Sequence, residues 1–225
     1  MKSTLIILAL TLNGTAHAMI LDNFTVPYSN TITSGTWVDY QTDEEIYTGE
    51  RDVAMRILGA TGGFTYTIGN GRVTLSTQGA GRAFAYMEYD GIGDEVNNTG
   101  PGRELIRNPR PDLHFPEGTT RVRFHIESFT GTGVFEVGAR LIQNGTALFS
   151  VGRNSSEAGV SVIDVPFHPD AFAVCNTIEI RFGLQNPNST LVISTVELVP
   201  ELNTLTGVLG AGALFGVRRL RKRNS

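Results

Sequence analysis

Trp37, Tyr40 and Tyr47 stand close together ahead of an alternating apolar run that begins near Val53. Rings clustered in a loop-like stretch can stack on a sugar while their polar edges stay wet, so these three are the candidate glycan-stacking residues. Trp37 is the only tryptophan, and a lone tryptophan equally suits a cap on the core. Carboxylates are the second resource. Asp43, Glu44, Glu45, Glu50 and Asp52 flank Tyr47, and Glu88, Asp90, Asp94 and Glu95 surround Gly91 and Gly93. The second group has the oxygen chemistry for Ca²⁺, but its spacing matches no EF-hand loop, so a solvated acidic loop is expected and no metal or cofactor is assigned. A glycosidase would need two carboxyls about 5–10 Å apart in a cleft, which spacing along the chain neither supplies nor excludes.

Other catalytic chemistry finds little footing. His114 and His168 lie in proline-flanked stretches and His125 sits on the polar side of an alternating run, none with a second ligand at zinc spacing. There is no G-x-S-x-G elbow and no phosphate-binding glycine loop. Cys175 is the only cysteine, which rules out an intrachain disulfide, and "FAVCNTIEI" around it offers no base, so it is expected in the core. The chain is therefore read as a non-enzyme.

The elements that would carry these residues are strands. "RVRFHIE" puts Val122, Phe124 and Ile126 on one face and Arg121, Arg123, His125 and Glu127 on the other. "VFEVGARL" does the same with Phe135, Val137, Ala139 and Leu141, and "TIEIRFGL" with Ile178, Ile180, Phe182 and Leu184. One apolar and one wet face marks antiparallel sheet. Asn70-Gly71 and Asn144-Gly145 each sit between two such runs, and Asn-Gly tolerates the positive φ that tight hairpins require. Helical spacing is absent between residues 19 and 198, save one short turn at Pro169–Phe172. The expected fold is all-β: an antiparallel β-sandwich, jelly-roll-like, with residues 90–116 as one long loop. "MILDNFTV" and "LVISTVELV" read as its first and last strands, and terminal strands of sandwiches often pair, bringing Asp22 near Glu197.

Both ends of the chain carry addressing signals. Lys2, an apolar run over residues 5–12 and Ala16-His17-Ala18 form an export signal with an A-x-A site, so signal peptidase is expected to cut after Ala18. At the far end Val199-Pro200-Glu201 precedes an apolar stretch and the basic residues Arg218, Arg219, Arg221, Lys222 and Arg223. Residues 202–220 would make a marginal membrane-spanning apolar helix, with the basic tail (218–223) held in the cytoplasm. A glycolipid-anchor signal would end on its apolar tail, so the charged residues exclude it.

Motif, apolar span and basic tail in that order resemble the PEP-CTERM proteins of Gram-negative bacteria, which exosortase processes. Val199, Pro200, Glu201, Thr204 and Leu205 match the family pattern V-P-E-P-x-T-L, and Leu202 stands where that pattern has its second proline. "TGERDV" (residues 48–53) is similar to a Gly-x-Arg-Asp stretch in some sandwiches of that family, where the arginine, here Arg51, would pair a carboxylate. The resemblance implies three segments: a signal peptide at 1–18, a β-sandwich at 19–198, and a sorting signal at 199–225 with its motif at 199–205. It further implies an exosortase-like partner, transient inner-membrane anchoring, delivery to the cell surface or outside, and a link to exopolysaccharide or biofilm. In a bacterial protein the N-x-[S/T] sequons are ordinary loop residues.

Charge narrows the partners. Setting aside Lys2, Glu201 and the tail leaves twelve arginines against 21 acidic residues, a net charge near −9 for the central domain. A surface that acidic disfavours nucleic acid. The leading reading is an exported, surface- or matrix-associated β-sandwich. The alternative is a cell-surface carbohydrate-binding module, and a glycan hydrolase or lyase ranks third.

Overall fold

The computed structural model describes residues 18–44, 46–59, 62–79, 81–91, 100–101, 115–116, 118–155 and 159–201. These residues form fourteen strands and one short helix. The first sheet runs β12 (Val162–Pro166), β9 (Thr119–Thr130), β14 (Thr190–Pro200), β6 (Arg72–Gln78), β5 (Gly63–Gly69), β2 (Tyr28–Ile32), and β1 (Met19–Asp22) also pairs with β14. The second runs β11 (Thr146–Ser155), β10 (Phe135–Gln143), β13 (Thr177–Leu184), β7 (Arg82–Tyr89), β4 (Glu50–Leu58), β3 (Thr36–Thr42), β8 (Gly100–Pro101). Every pairing is antiparallel. The chain crosses repeatedly between the two sheets.

Alternation places the core between them. Val122 and Phe124 of β9 and Phe135, Val137 and Leu141 of β10 are fully buried, and so are Ile178, Ile180, Phe182 and Leu184 of β13. Each such side chain contributes about 1.5–3 kcal/mol by leaving water, which is what fixes the strand register against a one-residue slip. The hairpins follow their turn chemistry. Asn70 and Gly71 have φ of 55° and 74°, and Asn144 and Gly145 have 48° and 77°. Both central residues lie in the left-handed region, as a type I′ turn demands.

The terminal strands do pair: Met19 lies opposite Leu198 and Ile20 opposite Glu197. A bulge then sets Asp22 opposite Val196. β14 is paired with β9 along one edge, while its other edge takes β6 over its first half and β1 over its second. The helix α1 (Pro169–Val174) extends the expected turn by two residues, and His168 caps it through Nδ1, which accepts from the Asp170 N–H at 3.3 Å. It lays Phe172 against Phe115 and Phe167, plugging one end of the sandwich. Cys175 follows, 2 % exposed, and burial pushes its thiol up to about 12, so it packs and does not attack.

Two expectations are corrected. The stretch carrying Trp37 and Tyr40 is the strand β3, not a loop. It is paired on one edge by β4 and on the other by the two-residue β8, and side chains on both its faces are partly covered, so no clean alternation marks it. β8 also interrupts the long loop expected over 90–116.

Candidate functional site

Arg51 shows what the Gly-x-Arg-Asp stretch does. It lies on the inward side of β4, fully buried, and its guanidinium donates to Asp22 and Gln41, and at 3.1 Å to the Val26 carbonyl. Asp22 also accepts from the Tyr89 hydroxyl at 2.7 Å and from the Phe24 N–H at 2.6 Å. One ion pair thus ties β1 of the first sheet to β3, β4 and β7 of the second. Its role is architectural.

The outward side of the second sheet is different. Register aligns three rows of side chains across six strands, from β3 to β11. The first reads Tyr40, Asp52, Glu88, Glu179, Arg140, Ser150; the second Val38, Ala54, Tyr86, Arg181, Gly138, Gly152; the third Thr36, Arg56, Phe84, Gly183, Glu136, Asn154. Tyr86 is half-buried at the centre. Burial pushes its phenol above the ordinary 10.0, with Arg181, Arg56 and Arg140 pulling the other way, so it stays protonated as a donor and acceptor.

Around Tyr86 the polar groups are held rigidly. Arg181 forms an ion pair with Glu136, its Nε 3.3 Å from a carboxylate oxygen, and lies 4.4 Å over the Phe84 ring. Arg140 reaches both oxygens of Glu179, at 3.1 and 3.3 Å. Glycines make the arrangement fit. A Cβ on Gly183 would come within 2.8 Å of Phe84, and one on Gly138 within 2.8 Å of the Val151 carbonyl oxygen. The result is a hollow of about 40 Å³ lined by Glu136, Gly138, Arg140, Gly152, Glu179 and Arg181. That is room for roughly three water-sized groups, enough for sugar hydroxyls but not for a buried ring. A ligand would have to lie along the face. Planar guanidinium and carboxylate groups beside a tyrosine offer the paired donors and acceptors that vicinal hydroxyls use.

Asp52 and Glu88, one from each acidic group, converge here too, beside Glu179. Asp52, Glu88 and Glu179 are directly opposite one another on β4, β7 and β13, but at 1 %, 0 % and 2 % exposure they are buried, as are Glu50 and Asp90. The solvated loop expected of the second acidic group is therefore corrected for Glu88 and Asp90, which are buried. Among the described residues no group of His, Cys, Asp and Glu has the grouping to hold a metal ion. Glu45, Asp94 and Glu95 lie outside them.

The three candidate stacking rings do not form one platform. Trp37 points inward and packs on the core, whereas Tyr40 is on the outward face of the same strand. Tyr47 lies in the turn before β4, with its ring 6.1 Å from Phe115. Tyr86 and Arg181 are brought together only by register. A signal was present in "RAFAYMEY", where Phe84 and Tyr86 share a face with Arg82 and Glu88, opposite a face of Ala83, Ala85, Met87 and Tyr89. Two aromatic rings alternating with charged residues on one face of a strand is the pattern that marks that face.

Of the addressing residues, Val199 and Pro200 close β14. Pro200 is buried opposite Thr119, and the Glu201 N–H donates to the Gly118 carbonyl at 2.9 Å. The register shifts between Val199 and Pro200, an irregularity of the kind that accommodates a residue without an N–H. The strand thus runs on through Pro200, past residue 198. Ala18 is exposed just before β1. Ala16, Thr204, Arg218, Arg219, Arg221, Lys222, Arg223 and the apolar stretch at 202–220 lie outside the described residues. No helix among the described residues is long and apolar enough to cross a membrane.

No family model matches the chain, and no curated protein does. Similar solved structures include the family 11 carbohydrate-binding module from Clostridium thermocellum in complex with a β-1,3-1,4-mixed-linked tetrasaccharide. The two share 14 % identity over 82 % of this chain and 96 % of that one, with a TM-score of 0.40. TmCBM61 in complex with β-1,4-galactotriose is 10 % identical over 80 % and 91 % of the two chains, with a TM-score of 0.34. The enzymatically active domain of tailspike protein 4 of bacteriophage CBA120 is 10 % identical over 79 % of this chain, with a TM-score of 0.35, and this chain spans only 20 % of its length. Likeness this low bears on neither ligand nor site.

Proposed function

We propose that this chain is an exported glycan-binding β-sandwich in which sugar lies along the outward face of the second sheet. The observation that carries the reading is the central row, where half-buried Tyr86 stands directly opposite Arg181 beside a glycine-floored hollow walled by two Arg–Glu pairs. The buried state of Asp52 and Glu88 favours binding over cleavage, because a catalytic carboxylate must reach its substrate. Export rests on Lys2, the apolar run and Ala16-His17-Ala18; delivery to the surface by an exosortase-like enzyme rests on the order of motif, apolar stretch and basic tail.

The test is retention of the mature protein in polysaccharide-containing native gels, over a panel of neutral and acidic polymers. Tyr86→Ala should weaken retention by about 1–3 kcal/mol while leaving the thermal transition nearly unchanged, since the ring is only half covered. A wild-type protein retained by no polymer, or a Tyr86→Ala variant retained as well as wild type, overturns the reading.

A further inference from the structure

Resting on the glycan-binding reading, we infer that the face takes an acidic glycan, with uronate carboxylates seated between Arg56 and Arg82. The two halves of the face are electrically unlike. On β10 and β13 the guanidiniums are already matched: Arg181 by Glu136 and Arg140 by Glu179. On β4 and β7 they are not. Arg56 and Arg82 are both exposed, and among the described residues neither has a carboxylate at ion-pair distance.

Their placement makes them a pair. Arg56 lies directly opposite Phe84, and Arg82 precedes Phe84 by two on the same strand, opposite Leu58. The two are diagonal neighbours, about 7–8 Å apart at the backbone, a gap that long side chains close easily. Phe84 serves both sides. Its ring lies 5.2 Å from the Arg82 guanidinium and 4.4 Å from that of Arg181, and the positive charges stack on its face. Arg82 is thus held against the Phe84 ring, with no carboxylate among the described residues to neutralise it. A planar guanidinium so oriented matches a planar carboxylate in two parallel hydrogen bonds.

The chain's overall charge sharpens the point. With acidic residues outnumbering basic ones by 22 to 18, the molecule repels a polyanion at long range. Two unmatched arginines on one face, beside groups suited to hydroxyls, therefore act as a contact device. They select an acidic sugar within a polymer that the matched half of the face holds by its hydroxyls.

The experiment uses the mature protein with polygalacturonate, its fully methyl-esterified form, a neutral mixed-linkage β-glucan and dextran sulfate, by titration calorimetry at low and high salt. Polygalacturonate should bind about tenfold more tightly than its ester at low salt, as one charge-assisted contact predicts, and the margin should shrink as salt rises. Arg56→Gln with Arg82→Gln should remove that margin while leaving neutral-polymer binding and the thermal transition unchanged, since both side chains are exposed. Equal affinity for acid and ester, or a margin that survives in the double variant, overturns this inference alone. Tighter binding of dextran sulfate than of polygalacturonate overturns the uronate assignment. Failure to bind any polymer removes the glycan-binding reading itself.

Discussion

Replacing Arg51 with methionine is the sharpest probe of the architecture. The guanidinium is fully buried and its partner Asp22 has a side chain 3 % exposed, so the substitution strands a carboxylate in the interior. The Tyr89 hydroxyl and the Phe24 N–H still bond Asp22, but neither supplies opposite charge. Removing one partner of a buried pair costs about 3–5 kcal/mol, a large share of the ~5–15 kcal/mol that holds a domain folded. With a urea dependence near 2–3 kcal/mol per molar for a chain of this size, the unfolding midpoint should fall by about 1–2 M. Adding Asp22→Asn to Arg51→Met should restore part of that loss, because the amide keeps an acceptor for Phe24 and leaves no charge behind. Urea titrations followed by tyrosine and tryptophan fluorescence read both effects. An Arg51→Met midpoint within about 0.3 M of wild type, or a double variant less stable than the single one, would refute the account.

Two further outcomes follow from placements described above. Trp37→Ala should lower stability by about 2–3 kcal/mol and leave glycan retention unchanged, because the indole packs inward on the core; loss of retention with unchanged stability would return Trp37 to the binding surface. Mass spectrometry of exported material should find Met19 at the start and a C-terminus beyond Glu201, since Val199 and Pro200 are built into β14. Intact Ser225 on protein released from cells, or a start displaced by more than a few residues from Met19, would refute the processing scheme.

How far the sequence alone reached depended on where the physics was local. β9, β10 and β13 announce themselves because one face of each is dry, and both hairpins do so because Asn-Gly takes positive φ. Arg51 could be expected to seek a carboxylate, yet Asp22 could not be named as its partner without the pairing of β1 with β14. β3 stayed hidden because its two faces are both half-covered, leaving Trp37 and Tyr40 looking like loop residues. The binding face was illegible for a deeper reason. Tyr86, Arg181, Gly138 and Gly152 come from four strands, and their adjacency is a property of register, which no single stretch of chain encodes.

The position of β14 has a mechanical consequence. Hydrogen bonds in an antiparallel sheet lie perpendicular to the strands, and β14 carries them on both edges, to β9 on one side and to β6 and β1 on the other. Tension applied beyond Glu201 runs along this strand and loads those bonds in shear, many at once, where an edge strand would peel away one bond at a time. The N-terminal strand lies alongside the loaded segment, and through Asp22 the pull passes to Arg51 and so into the opposite sheet. A sandwich tugged by its final strand therefore resists as a whole body.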